Sequence, residues 1–299
     1  MSKVAARNDK AVVLLFALPG LLYFLIFKYV PMVGNIIAFK EFNIFQGLWG
    51  SPWVGLDQFA RMFTHEDFYR ITWNTIRLSF VSILFGFPAP ILLALMLNEI
   101  RAMAFKRSIQ TIVYLPHFLS WVIVGSLFIN LLSINGLVNE WAGLLGLPKI
   151  DYVTSKSHFI AILVGTGIWK EVGWGTIIYL AALSGVNPNL YEAAVVDGAG
   201  RWKQIWYITL PSLLPTMVVL LLLWVGGVMN SNLEQLLIFL NPLVFEVGDV
   251  LDTYIYNIGL VGGQYSYTTA IGLFKAVIGI TLLVALNAFS RKATGESLY

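Results

Sequence analysis

Few residues in this sequence are of a type and spacing that could do chemistry. The three histidines, His65, His117 and His158, lie far apart with no spacing that suits metal ligands, and they read as interfacial or loop residues. There are no cysteines, which excludes disulfides, zinc thiolates and thiol nucleophiles. No Gly-x-x-x-x-Gly-Lys-Ser/Thr stretch is present to cradle a phosphate. Leu183-Ser184-Gly185 faintly resembles an ATPase signature, but it ends an apolar run. No carboxylate pair or Ser/His/Asp set can be assembled at one depth, so no enzyme, resident metal or cofactor is expected. What remains is recognition chemistry. Trp169, Lys170, Glu171 and Trp174 share one apolar stretch, Lys275 sits in another, and Asn230, Asn232, Glu234 and Gln235 close a third. Amides and carboxylates can hydrogen-bond polar groups of a ligand, and indoles can stack on its flat apolar faces.

The elements that must position these groups belong to a membrane. The 299 residues are 58% hydrophobic and 12% charged, with mean hydropathy +0.76. Soluble domains carry about twice that charge fraction. A span needs about 20 mostly apolar residues, and six stretches qualify: 11–37, 71–98, 108–133, 159–184, 212–231 and 266–289. The first follows Lys3, Arg7 and Lys10, but its apolar run is too long for a signal peptide and reads as a retained anchor. With the N-terminus in the cytoplasm, the inner segments hold 10 Lys/Arg in 56 residues and the outer segments 5 in 92. The positive-inside rule therefore predicts six spans with both termini cytoplasmic. Net charge is only +3, with no basic block to bind nucleic acid. No internal repeat or low-complexity linker divides the chain, so a single transmembrane domain over 1–299 is expected, with its core at about 71–289.

Ionisable side chains inside a span suggest a pathway or a partner. Lys28 and Arg77 sit toward span ends, where they can snorkel. Lys170 lies roughly 16 Å into its span at 1.5 Å per residue. Two readings stand: Glu171 and Lys275 form a buried ion pair, or these residues line a ligand cavity. Lys170 and Glu171 are successive on a helix, about 100° apart, so they are not expected to form a good mutual pair and at most one can face the same neighbour. The polar group from Asn230 to Gln235 reads either as ligand contacts or as an interfacial cap.

The most informative segment is the cytoplasmic loop at about 185–211. Asn187 suits an N-cap and Pro188 the first helical position. A short helix over 188–197 should stop at Gly198, which can take a left-handed conformation. A second helix from Arg201 to Tyr207 should lead into the fifth span. Such an elbow suits transmission of force.

Glu192-Ala193-Ala194, Gly198, Ile208, Leu210 and Pro211 hold the spacing of the EAA motif. The chain thus resembles the permeases of bacterial ABC importers. Phe27 to Pro31, Ser51 to Leu56, Tyr114 to Phe118 and Gly173-Trp174-Gly175 are similar to the LplB-like branch of the carbohydrate-importer permeases. Compared with the MalF prototype of that family, the outer loops are short, and contacts with a binding protein would rely on them.

The resemblance implies an all-α, MetI-like type I importer permease in the bacterial cytoplasmic membrane. It implies a second, related permease, two ATP-binding subunits that bind ATP and magnesium, and an extracellular or periplasmic solute-binding protein. The cargo would be an oligosaccharide, with acidic fragments of alginate or pectin plausible for this branch. Tyr191, Glu192, Ala193, Ala194, Asp197, Gly198 and Ala199 would form the loop that couples to the ATPase. Glu192 would contact that subunit, the alanines would permit close approach, and Gly198 would make the turn. The contrasting reading is an ion-coupled secondary transporter, which would usually show repeated halves within one chain.

Overall fold

A computed structural model describes residues 2–295, with no β-strand among them and one isolated bridge between Lys40 and Trp53. Residues 296–299 of the last inner segment lie outside the described residues. The chain forms two compact units. One holds the described residues of Met1–His65 and Ile255–Phe274, the other those of Glu66–Tyr254 and Lys275–Tyr299.

The first unit begins with helix α1 (Ser2–Phe24), which runs on through irregular helical turns to Phe39. Its apolar side chains from Leu14 onward are exposed, as expected of a surface solvated by lipid or covered by another subunit. The loop that follows is pinned from within. The buried Lys40 ammonium donates to the carbonyls of Leu48 (2.8 Å) and Ser51 (3.2 Å). Arg61 bonds Gln264 at 2.7 Å and lies over the Tyr267 ring.

The second unit contains α2 (Glu66–Gly86), α3 (Pro88–Glu99), α4 (Met103–Tyr114), α5 (Trp121–Leu132), α6 (Phe159–Ser184), α7 (Pro188–Val196), α8 (Arg201–Gln204), α9 (Leu210–Gly226) and α10 (Leu233–Phe239). The last helix, α11 (Tyr265–Thr294), contributes to both units. Among the described residues five helical stretches are long and apolar enough to cross a membrane: Leu14–Phe39, Glu66–Glu99, Trp121–Leu144, Arg201–Gly226 and Tyr265–Lys292. The expected fourth span, α6, is long enough at 26 residues but less apolar, because Lys170, Glu171 and a run of Gly and Thr interrupt it. Its position explains the tolerance. It touches α2, α3, α4, α5, α9 and α10, so protein rather than lipid surrounds much of it. Gly173 makes one of these approaches possible, since a Cβ there would meet the Val113 carbonyl oxygen at 1.9 Å.

Two expected spans are corrected. The stretch 108–133 is not one helix. Pro116 cannot donate to the helical ladder, a 3₁₀ turn spans Leu115–Phe118, and Ser120 recaps the chain by accepting from the Ile123 N–H at 3.3 Å. The stretch 212–231 stops helical winding at Gly226, and α10 starts only after Asn232 caps it.

Two apolar clusters hold the unit. Ile91, Ala94, Tyr179, Leu183 and Leu213 join α3, α6 and α9 toward the C-terminal end of α6. Phe159, Ile162, Leu163, Leu236, Phe239, Val244 and Val250 join its N-terminal end to α10 and the loop beyond. At 1.5 Å per residue these ends stand about 30 Å apart, and the middle of α6 lies between them.

Candidate functional site: a cavity beside a broken helix and a glycine-closed elbow

A cavity of about 390 Å³ opens against the middle of α6. Ser79, Ser82 and Gly86 line it from α2, Glu171 and Trp174 from α6, Trp224 from the end of α9, and Asn230, Ser231, Asn232 and Gln235 from the segment beyond. Five of the residues expected on the pathway, Glu171, Trp174, Asn230, Asn232 and Gln235, are therefore brought together. The unwound segment between α9 and α10 makes this possible. Non-helical backbone at membrane depth is tolerated where it is buried in protein or lines a cavity.

Four expected pathway residues lie elsewhere. Lys170 is 6% exposed, and its ammonium donates to the His117 carbonyl at 2.6 Å, faces the Trp121 ring and approaches Glu171 Oε1 at 3.5 Å. Side chains of successive helical residues point apart, so burying Lys170 turns Glu171 toward the cavity. The two still come within ion-pair range, closer than their helical angles suggested. Trp169 packs edge-on against Phe128 on another face of the helix. Glu234 is exposed outside the cavity wall. Lys275 does not pair with Glu171. It pairs with Asp252, in the single helical turn Leu251–Tyr254, which packing brings against α11.

His117, read from the sequence as an interfacial or loop residue, contacts two residues of the cavity wall. Its Nδ1 lies 2.7 Å from Glu171 Oε2, and its ring stacks on Trp174 at 4.3 Å between centroids and 4° between planes. The Pro116 break makes this geometry possible by ending α4. A proline within an apolar run was the available signal. On the opposite wall, Gln235 uses its amide N–H groups on the Leu163 carbonyl (2.7 Å) and the Thr166 hydroxyl (2.9 Å). Its side chain is thereby fixed in the wall.

The first half of the loop at 185–211 takes the expected shape, whereas the second helix does not end at Tyr207 but runs from Arg201 through a π turn at Ile205–Thr209 into α9. The Asn187 side chain accepts the Asn189 N–H at 3.0 Å, and Pro188 opens α7. α7 closes with Ala199 N–H donating to the Ala194 carbonyl (2.8 Å) and Gly198 N–H to the Val195 carbonyl (3.0 Å), while Gly198 stands at φ +74°. This is a Schellman closure. Tyr191 and Thr209 hydroxyls meet at 3.0 Å, tying α7 to the start of the following span. Glu192, Ala193 and Asp197 are exposed, and Ala194 and Ala199 are half-buried. Val195 and Val196 present 62% and 87% of their surface, which is unusual for apolar side chains on a solvent-facing knob.

Residues 86–295 match the model of the family described as "Binding-protein-dependent transport system inner membrane component". The chain belongs to that family. The permease is 46% identical over 296 residues to Protein LplB of Bacillus subtilis, covering 99% of this chain and 93% of that protein. It is 46% identical over 286 residues to the polygalacturonan/rhamnogalacturonan transport system permease protein YteP of the same organism, covering 95% and 89%. Among solved structures, it superposes on a chain of a bacterial alginate ABC transporter in complex with an alginate pentasaccharide-bound periplasmic protein. The TM-score there is 0.89 at 42% identity, covering 98% of this chain and 99% of that one. The permease is thus a multi-pass component of the inner membrane, in a family whose ATPase activity lies in separate subunits. Membership replaces the ion-coupled alternative.

Proposed function

We propose that this permease imports oligosaccharides, acidic ones in particular, and that the cavity beside α6 is where the cargo crosses. The observation that carries the reading is the cavity itself. Its lining combines serines, amide side chains, the Glu171 carboxylate and tryptophan rings, among helices apolar enough to cross a membrane. The names of its relatives support the choice of substrate, since YteP serves polygalacturonan and rhamnogalacturonan transport and the superposed transporter serves alginate. Six spans with cytoplasmic termini put the elbow around Glu192 inside the cell. There it docks on an ATP-binding subunit through its exposed face, α7 moves rigidly with that subunit, and the spans rock to open the cavity. A related second permease completes the pathway, and a binding protein delivers cargo from outside.

The test is reconstitution in proteoliposomes with the second permease, the ATP-binding subunits and the binding protein. ATP-dependent uptake of an oligouronate is expected, with a neutral oligosaccharide of equal length taken up less well. The isolated chain should neither hydrolyse ATP nor transport. Uptake driven by an ion gradient without the ATP-binding subunits would remove the proposal, and equal uptake of both sugars would remove its acidic preference.

A further inference from the structure

The unwound stretch Gly227–Asn232 forms one wall of the cavity. Its backbone has left the regular α-helical ladder at a depth where water is scarce. The Gly227, Val228 and Asn230 N–H groups keep turn bonds to the Trp224, Val225 and Gly227 carbonyls, and three side-chain attachments pin the stretch. The Ser79 hydroxyl of α2 donates to the Val228 carbonyl. Asn232 caps α10 by accepting the Gln235 N–H at 3.1 Å. Between these two points the Ser231 N–H donates to Asp252 Oδ2 at 2.7 Å. This third attachment is the only charged one. The other carboxylate oxygen, Asp252 Oδ1, accepts from the Lys275 ammonium of α11. The Lys275 side chain is 7% exposed and that of Asp252 21%, so either charge left alone would be costly.

We propose that Lys275 and Asp252 are positioning residues for the ligand-facing wall. Lys275 orients the carboxylate, the carboxylate holds the Ser231 backbone, and Ser231 sets the direction in which its neighbour Asn230 faces the cavity. Ser231 Oγ is buried within that wall with no hydrogen-bond partner among the described residues, so the backbone bond to Asp252 is what fixes this residue. Neither Lys275 nor Asp252 lines the cavity. The pair also ties the wall to α11, so a displacement of that helix would be felt where cargo binds. The inference rests on the reading that the cavity takes the oligosaccharide.

Two double variants separate positioning from plain stability. Both remove the charges together and so leave none buried alone. Asp252→Asn/Lys275→Met keeps an oxygen that can accept the Ser231 N–H, whereas Asp252→Leu/Lys275→Met does not. In the reconstituted transporter the Asn/Met variant should keep its uptake KM within about twofold of wild type. The Leu/Met variant should raise KM about tenfold, the ratio that loss of one hydrogen bond of 1.4 kcal/mol produces. Equal KM values for the two variants would overturn the proposal. A second readout covers failure to assemble. Because the chain has no cysteine, Asn230→Cys introduces a lone thiol that can be labelled with maleimide in the solubilised full chain. Labelling should change in the Leu/Met background and not in the Asn/Met background, and equal rates would again overturn the idea. Trp174→Ala in the same uptake assay keeps the two claims apart. An unchanged KM there removes the cavity reading, while a raised KM alongside equal double variants removes only the positioning role.

Discussion

Replacing Gly198 with valine tests whether the elbow transmits force. Gly198 sits at φ +74°, and a Cβ built there meets nothing within 4 Å. Any penalty is therefore backbone strain, with no contribution from a clash. An L-residue in the left-handed region costs about 1–2 kcal/mol, and a β-branched one sits at the upper end or beyond. Asparagine tolerates the region far better. The strain can be relieved only by opening the Schellman closure, which gives up the 2.8 Å bond from Ala199 and the 3.0 Å bond from Gly198. Two net hydrogen bonds at about 1 kcal/mol each are comparable to the strain, so the valine variant divides between a strained closure and an open one. Either state misdirects the face carrying Glu192. In proteoliposomes, Gly198→Val should insert normally and lose most ATP-dependent uptake, Gly198→Ala should lose less, and Gly198→Asn should retain the most. Wild-type uptake by the valine variant would refute the reasoning, as would an asparagine variant as defective as valine.

Other expected outcomes are simpler to read. Glu192→Lys reverses an exposed charge on the face proposed to dock and should reduce co-purification of the ATP-binding subunit without lowering the thermal midpoint of the chain. Lys170→Met leaves the His117 carbonyl without its donor, a loss of roughly 1.5–3 kcal/mol for a hydrogen bond to a charged group. It should lower the thermal midpoint while uptake per assembled transporter stays near wild type, and selective loss of acidic-sugar uptake would return Lys170 to the pathway. Lys156, through its hydrogen bond and charge, holds the Glu246 carboxyl below the usual carboxylate range. A depressed carboxylate pKa stabilises the fold above the unfolded value near 4.5 and loses that effect as pH falls through the folded value. The small difference in thermal midpoint between wild type and Glu246→Gln should accordingly close toward pH 3, and at neutral pH it should shrink with added salt.

The elbow was readable in the chain because everything that shapes it is local. Asn187, Pro188 and Gly198 act on backbone groups within five residues, so residue type and spacing suffice to place α7 and its turn. The apolar runs were legible for a similar reason, since crossing a bilayer demands a length and composition that can be counted. The facing of polar side chains within those runs was not legible. Whether Lys170 or Glu171 meets the cavity depends on where the His117 carbonyl comes to rest, 53 residues away along the chain. Lys275 could have paired with any buried carboxylate, and the choice of Asp252 over Glu171 follows from which elements pack against α11. The unwinding after Gly226 likewise depends on partners from distant segments, the Ser79 hydroxyl and the Asp252 carboxylate, which satisfy the backbone groups it frees. Sequence alone determined a membrane-spanning chain with a short helix closed by a glycine turn, because those features obey short-range rules. Tertiary structure decided which polar groups face the cavity and which are structural, because in low dielectric each buried charge goes to the partner that packing supplies.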